Sequence, residues 1–69
     1  MSVEMQDGDR LLTFEELHRR VPYTRQHVGR LEKVGQFPKR VRMGLGRVGW
    51  SAKEVSDWIE EKKAQRFAA

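Results

Sequence analysis

The sequence predicts a small, mostly α-helical fold with one two-stranded β-hairpin, in the order helix, turn, helix, hairpin, helix. Three observations carry the prediction. Two capped segments with helical apolar spacing follow each other closely between Leu12 and Gly35. The spacing then changes to a strand period across QFPKRVRMGLGRVGW, residues 36–50, with glycines at its centre. A third capped segment, SAKEVSDWIEEKK, follows from Ser51. Sixty-nine residues make one small domain with a modest core.

Residues 1–10 lack apolar periodicity and read as a flexible tail, which leaves 11–66 as the folded domain. In the first helix Thr13 and Glu16 form a capping box, with Leu12 and Leu17 as the staple around it. Phe14, Leu17 and Val21 share a helical face, and Pro22 stops the helix. Thr24 caps the second helix, with Tyr23 and Val28 in staple positions. Val28, Leu31 and Val34 form its narrow apolar face, and Gly35 suits a left-handed C-cap. Two short helices joined this closely are the helix-turn-helix pattern.

In the next stretch Arg40 and Arg42 alternate with Val41 and Met43, giving a basic face and an apolar face. Val48 and Trp50 resume the alternation beyond the turn MGLGR. Gly44 and Gly46 permit positive φ in that turn, and Gly49 suits a bulge or close packing. Ser51 caps the last helix, with Glu54 completing a second capping box. Val55, Trp58, Ile59 and the stem of Lys62 share its inner face, and it frays from Gln65 to Ala69. The expected core is Leu12, Phe14, Leu17, Val21, Val28, Leu31, Val34, Phe37, Val41, Met43, Val48, Trp50, Val55, Trp58 and Ile59. Both tryptophans are in phase with apolar neighbours, which favours core anchoring over base stacking.

Residues 44–49, GLGRVG, fit G-x-G-x-x-G, the pyrophosphate pattern of dinucleotide folds. That chemistry needs a following helix, a second parallel strand and an acid about 20 residues further on. The sequence has no room for them, so no nucleotide cofactor is expected. With two histidines, His18 and His27, and no cysteine, no metal site is expected either. Glu15–Glu16 and Glu60–Glu61 are sequence neighbours that diverge by about 100° on a helix, so they make no acid–base pair. No serine has a base and acid set, and no catalytic activity is expected. The acidic, polar N-terminus and the lack of an apolar run near the roughly 20 residues of a span imply a soluble, cytoplasmic protein without a membrane partner.

Charge is the stronger functional signal. Residues 18–50 hold nine Lys or Arg against one acid, Glu32. Such a block implies a polyanion, and on a helix-turn-helix followed by a hairpin wing the polyanion is double-stranded DNA. In this winged helix-turn-helix the second helix enters the major groove. Arg25, Gln26, His27 and Arg30 are the candidate base readers, since Arg bonds guanine N7 and O6 and Gln bonds adenine N6 and N7. Thr24, Lys33, Lys39, Arg40, Arg42 and Arg47 are the candidate phosphate and wing contacts. Gly29, costly in mid-helix, has two open explanations: close packing on another backbone, or close approach of DNA.

The runs LLTFEELHRRVPYTRQHVGRLEKVGQFPKRVRMG and VGWSAKEVSDWI resemble the AlpA-type phage regulators and the related small excisionases, or recombination directionality factors. These belong to the winged-helix group that also holds the DNA-binding part of MerR-type proteins. Leu12, Glu16 and Thr24–Arg25 carry the resemblance, with Gly35, Phe37 and Pro38, and with Gly49, Trp50, Glu54, Val55 and Trp58. It spans about residues 11 to 66. The resemblance implies a DNA-binding protein of a prophage or integrative element, one that activates an integrase gene or that bends or coats attachment sites so that excision is favoured, with integrase as a further partner. One position departs: Gly29 precedes Arg30 where the family usually has a bulky aromatic. No long heptad helix follows Ile59, so a coiled-coil dimer is not expected, and a lone module suits side-by-side binding and self-association on repeated sites. The competing reading is a protein-interaction module, an adaptor or antirepressor, whose basic face meets an acidic partner.

Overall fold

The computed structural model describes residues 9–68. A short strand β1 (Leu11–Leu12) leads into α1 (Phe14–Arg20) and α2 (Arg25–Lys33). The hairpin strands β2 (Val41–Gly44) and β3 (Arg47–Ser51) follow, then α3 (Ala52–Ala68). The strands form an antiparallel sheet in the order β1-β3-β2. This is the architecture of a winged helix-turn-helix, with β1 added to the expected hairpin. β1 escapes a period-based reading because it is two residues long.

The caps follow their local sequence. Thr13 Oγ1 accepts from Glu16 N–H, and Glu16 Oε1 accepts from Thr13 N–H, so the capping box of α1 is complete. Thr24 Oγ1 accepts from His27 N–H at the start of α2. α2 ends in a Schellman motif: Gln36 N–H donates to Leu31 O, Gly35 N–H donates to Glu32 O, and Gly35 has φ 73°. Between α1 and α2, Tyr23 N–H donates to Val21 O around Pro22, and His18 Nδ1 donates to Tyr23 O. Ser51 Oγ accepts from Glu54 N–H as expected. The second half of that cap comes from Asp9, not Glu54: the Asp9 carboxylate accepts from Ser51 Oγ at 2.8 Å and from Lys53 N–H at 3.1 Å. The flexible tail expected over residues 1–10 falls mostly outside the described residues. Within them, Asp9 holds this cap and Arg10 O accepts from Ala52 N–H. α3 continues to Ala68, past the expected fraying point.

Leu12, Leu17, Val21, Val28, Phe37, Trp50 and Val55 are the buried core, with Phe14, Tyr23, Leu31, Val48, Trp58 and Ile59 packed around it. Full burial of a Leu or Val side chain stabilises by about 1.5–3 kcal/mol. Three expected core residues are exposed. Val34 is 66% exposed because it is the cap residue of α2, where Gly35 turns the chain away. Val41 and Met43, 40% and 44% exposed, lie on the outer face of the sheet. The register decides this: Val41 stands opposite Gly49 and Arg42 opposite Val48, so Arg42 shares the face of Val48 and Trp50 that packs on the helices. The basic and apolar faces of β2 are therefore the reverse of those expected.

The turn itself is as the glycines predict. Gly44 and Gly46 have φ 93° and 75°, and Leu45 between them has φ 53°. Gly49 serves close packing, with the bulge instead between Arg42 and Gly44. A Cβ on Gly49 would meet Leu11 Cβ at 3.1 Å and Leu12 O at 3.2 Å.

The Lys53 N–H and the Ser51 hydroxyl hold the Asp9 carboxyl below its ordinary value of 3.8, and the Thr13 N–H holds Glu16 below 4.5, with Arg10 adding charge. Groups depressed in the folded state contribute fully above their ordinary pKa and lose that contribution as pH falls through the folded value. Melting temperature is therefore expected to drop as pH falls below about 4.5. Asp9→Asn is expected to melt lower at neutral pH and to show a shallower acid decline. An unchanged decline would remove Asp9 from that role.

Candidate nucleic-acid interface

Helical spacing places Gln26, Gly29, Arg30 and Lys33 of α2 on one stripe, opposite the inward-facing Val28 and Leu31. Gln26, Arg30 and Lys33 are exposed. Their side chains extend from a helix whose opposite face is fixed in the core, which is the arrangement groove entry requires.

Arg25, at the first turn of α2, lays its guanidinium over the Phe14 ring, 4.2 Å from the centroid. A stacked guanidinium keeps its in-plane N–H donors for a bidentate acceptor. Thr24 spends its acceptor on the cap and keeps its hydroxyl proton. His27 sits differently from the other candidate readers. It is half-buried, its ring edge-on to Tyr23 at 4.5 Å, toward the flank of the stripe.

The wing joins α2 through one acid. Glu32 Oε2 accepts from Trp50 Nε1 and Glu32 Oε1 accepts from Arg40 Nε, both at 2.9 Å. The Arg40 guanidinium also lies over the Trp50 ring at 5.2 Å. Arg40 is thus first an anchor of the wing, with its side chain 40% exposed. Gly29, Glu32, Lys33, Lys39, Arg40 and Arg42 line one open cleft between α2 and the wing. Arg40 and Arg42 continue into a second groove with Arg47 and the Gly44–Gly46 turn. Lys33, Lys39, Arg42 and Arg47 therefore form a continuous basic surface from α2 to the wing tip. Residue patterns alone did not reveal Glu32 as the anchor or Phe14 as the Arg25 platform. The signal for Glu32 was its isolation among nine cations.

The structure narrows the question of Gly29. Among the described residues outside its own helix, a Cβ there would meet only Arg40 Nη2, at 3.9 Å, an ordinary contact. Close packing on another backbone does not explain this glycine. It leaves a gap in the stripe at the mouth of the basic cleft.

Among the described residues there is no group of His, Cys, Asp and Glu suited to a metal, and no helix long and apolar enough to cross a membrane. A family model described as Prophage CP4-57 regulatory protein (AlpA) matches residues 10–63, which is more than half of the chain. No curated relative matches it.

Two substitutions test the site. Glu32→Ala is expected to lower stability by about 1–3 kcal/mol in thermal or urea unfolding, because Trp50 Nε1 and Arg40 lose their acceptor. Gly29→Ala is expected to stabilise α2 by up to about 1 kcal/mol while weakening duplex binding. A stabilised variant with unchanged affinity would clear Gly29 from the interface.

Proposed function

The chain belongs to the family of the prophage regulatory protein AlpA, and we propose that it binds double-stranded DNA sequence-specifically as a regulator of a prophage or integrative element. The continuity of the α2 stripe with Arg42 and Arg47 of the wing carries this reading. α2 lies in the major groove. Arg25, Gln26 and Arg30 read base edges, with His27 a lesser contributor because Tyr23 holds its ring. Thr24, Lys33, Lys39, Arg42 and Arg47 hold phosphates, and Arg40 supports the wing from behind.

The reading is of a binding protein rather than a catalyst. Transcriptional control and promotion of excision both follow from occupying adjacent sites, the first beside a promoter and the second beside an attachment site. A single module covers little DNA, which favours side-by-side copies on repeated sites. The outer sheet face, with Leu11, Val41 and Met43 each about two-fifths exposed, offers an apolar surface for a neighbouring copy or an integrase. An acidic protein partner for the basic face is the competing reading, and low salt favours both, so only duplex binding separates them.

Fluorescence anisotropy on the duplex flanking its own gene, against a scrambled duplex and across a salt series, tests the proposal. Tighter binding to the native duplex is expected. Arg25→Ala is expected to cost about 1–3 kcal/mol on the native site and to relax base preference there. Arg42→Ala is expected to weaken both duplexes alike and reduce the salt slope by about one. No binding to either duplex at low salt would move the protein-partner reading to first place.

A further inference from the structure

The wing tip holds a residue that neither solvation nor backbone conformation favours. Leu45 is 100% exposed. It is also the one described non-glycine residue with positive φ, at 53°. That left-handed position suits Asn, Asp or Gly, and the second residue of the turn, Gly46, conforms. A γ-branched apolar side chain at the apex therefore gains nothing from the fold. Its flanks are bare: a Cβ on Gly44 or Gly46 would find nothing within 4 Å. The tip is therefore one leucine wide. Behind it Arg42 and Arg47 are exposed and line the same groove as the turn.

A narrow apolar point backed by arginines has the chemistry of a minor-groove wedge. Arginine is drawn to the negative potential of a narrow groove, and an inserted Leu unstacks a base step and kinks the duplex. We propose that Leu45 is such a wedge, inserting at a base step beside the site read by α2 and bending the DNA there. This deepens the DNA-binding reading above and rests on it. It adds a mechanical output to recognition: the cations behind the tip set affinity, and the leucine sets the shape of the bound DNA. Flexible pyrimidine–purine steps such as TA and CA are the preferred targets, because they unstack most easily.

The test measures bend angle by energy transfer between dyes at the ends of the native duplex, with 2-aminopurine scanned through the site to report unstacking. Wild type is expected to bend the duplex by tens of degrees, within the range of about 20–90° for wedge-bearing proteins, with 2-aminopurine brightening at one step. Leu45→Asn is expected to melt at the same or a higher temperature, since Asn suits the turn. It is expected to keep the salt slope of binding and to lose most of the bend and the brightening. Leu45→Phe is expected to retain both. Equal bending by wild type and Leu45→Asn overturns the wedge and leaves DNA binding standing, as does wild-type binding without a bend. Loss of cooperativity between adjacent sites, with the bend intact, also overturns it and assigns the tip to a neighbouring copy. Failure of wild type to bind any duplex removes the DNA-binding reading and the wedge together.

Discussion

The carboxylate of Glu32 is the joint on which the basic side of this domain is assembled. It projects from α2, its side chain is 12% exposed, and its two oxygens take one donor each from β3 and the segment before β2. A bond from Trp50 Nε1 alone would let the sheet pivot about the indole. The second bond, to Arg40, fixes the rotation, and the guanidinium stacked on the same indole closes the triangle. Charge-assisted bonds at this degree of burial are stronger than neutral ones and carry more geometric information. The placement of the wing relative to α2 is set by one acid and the two groups it holds.

That joint also explains what was legible in the sequence and what was not. The caps at Thr13, Thr24 and Gly35 and the glycine turn are local chemistry, decided within a few residues, and they are where the sequence places them. The side of β2 that faces the helices is not local. Alternation of Arg40, Val41, Arg42 and Met43 shows two faces, and hydrophobicity favours turning the valine inward. The register instead puts Arg42 on the helix side beside Val48, where it stays exposed along the cleft, and turns Val41 and Met43 to the outer face. The strand β1 and the role of Asp9 were hidden for a related reason. Both depend on partners at Trp50–Ser51 and Lys53, far along the chain, and neither leaves a periodic trace. The basic surface along α2 and the wing was legible as residue types and positions, since cations with no apolar phase are recognisable. The division of work among them was not, because it depends on which ring or carboxylate each one meets.

The basic residues therefore fall into two groups. Arg25 and Arg40 lie over the aromatic rings of Phe14 and Trp50, where they cover apolar surface as well as carry charge. Arg30, Lys33, Lys39, Arg42 and Arg47 are exposed along α2 and the wing. A small domain with few fully buried side chains has little apolar surface to spare. Using cations as lids over aromatic rings lets the same residues stabilise the fold and present a positive surface.

β1 has a consequence for how the domain assembles. The two helices and the hairpin can each form from neighbours in the chain, but Leu11 meets Ser51 across both helices and the hairpin. Closing that pairing confines residues 11–51 in a loop, and the entropy of closure is recovered only once Trp50 and Leu12 are both in the core. β1 and the Asp9 cap are the contacts of longest sequence separation in the domain and are expected to form late. Hydrogen exchange at the Leu12 and Ala52 amides would be faster than in α1 or α2. Asp9 and Arg10 thus tie the start of α3 to β1 through one carboxylate and one carbonyl.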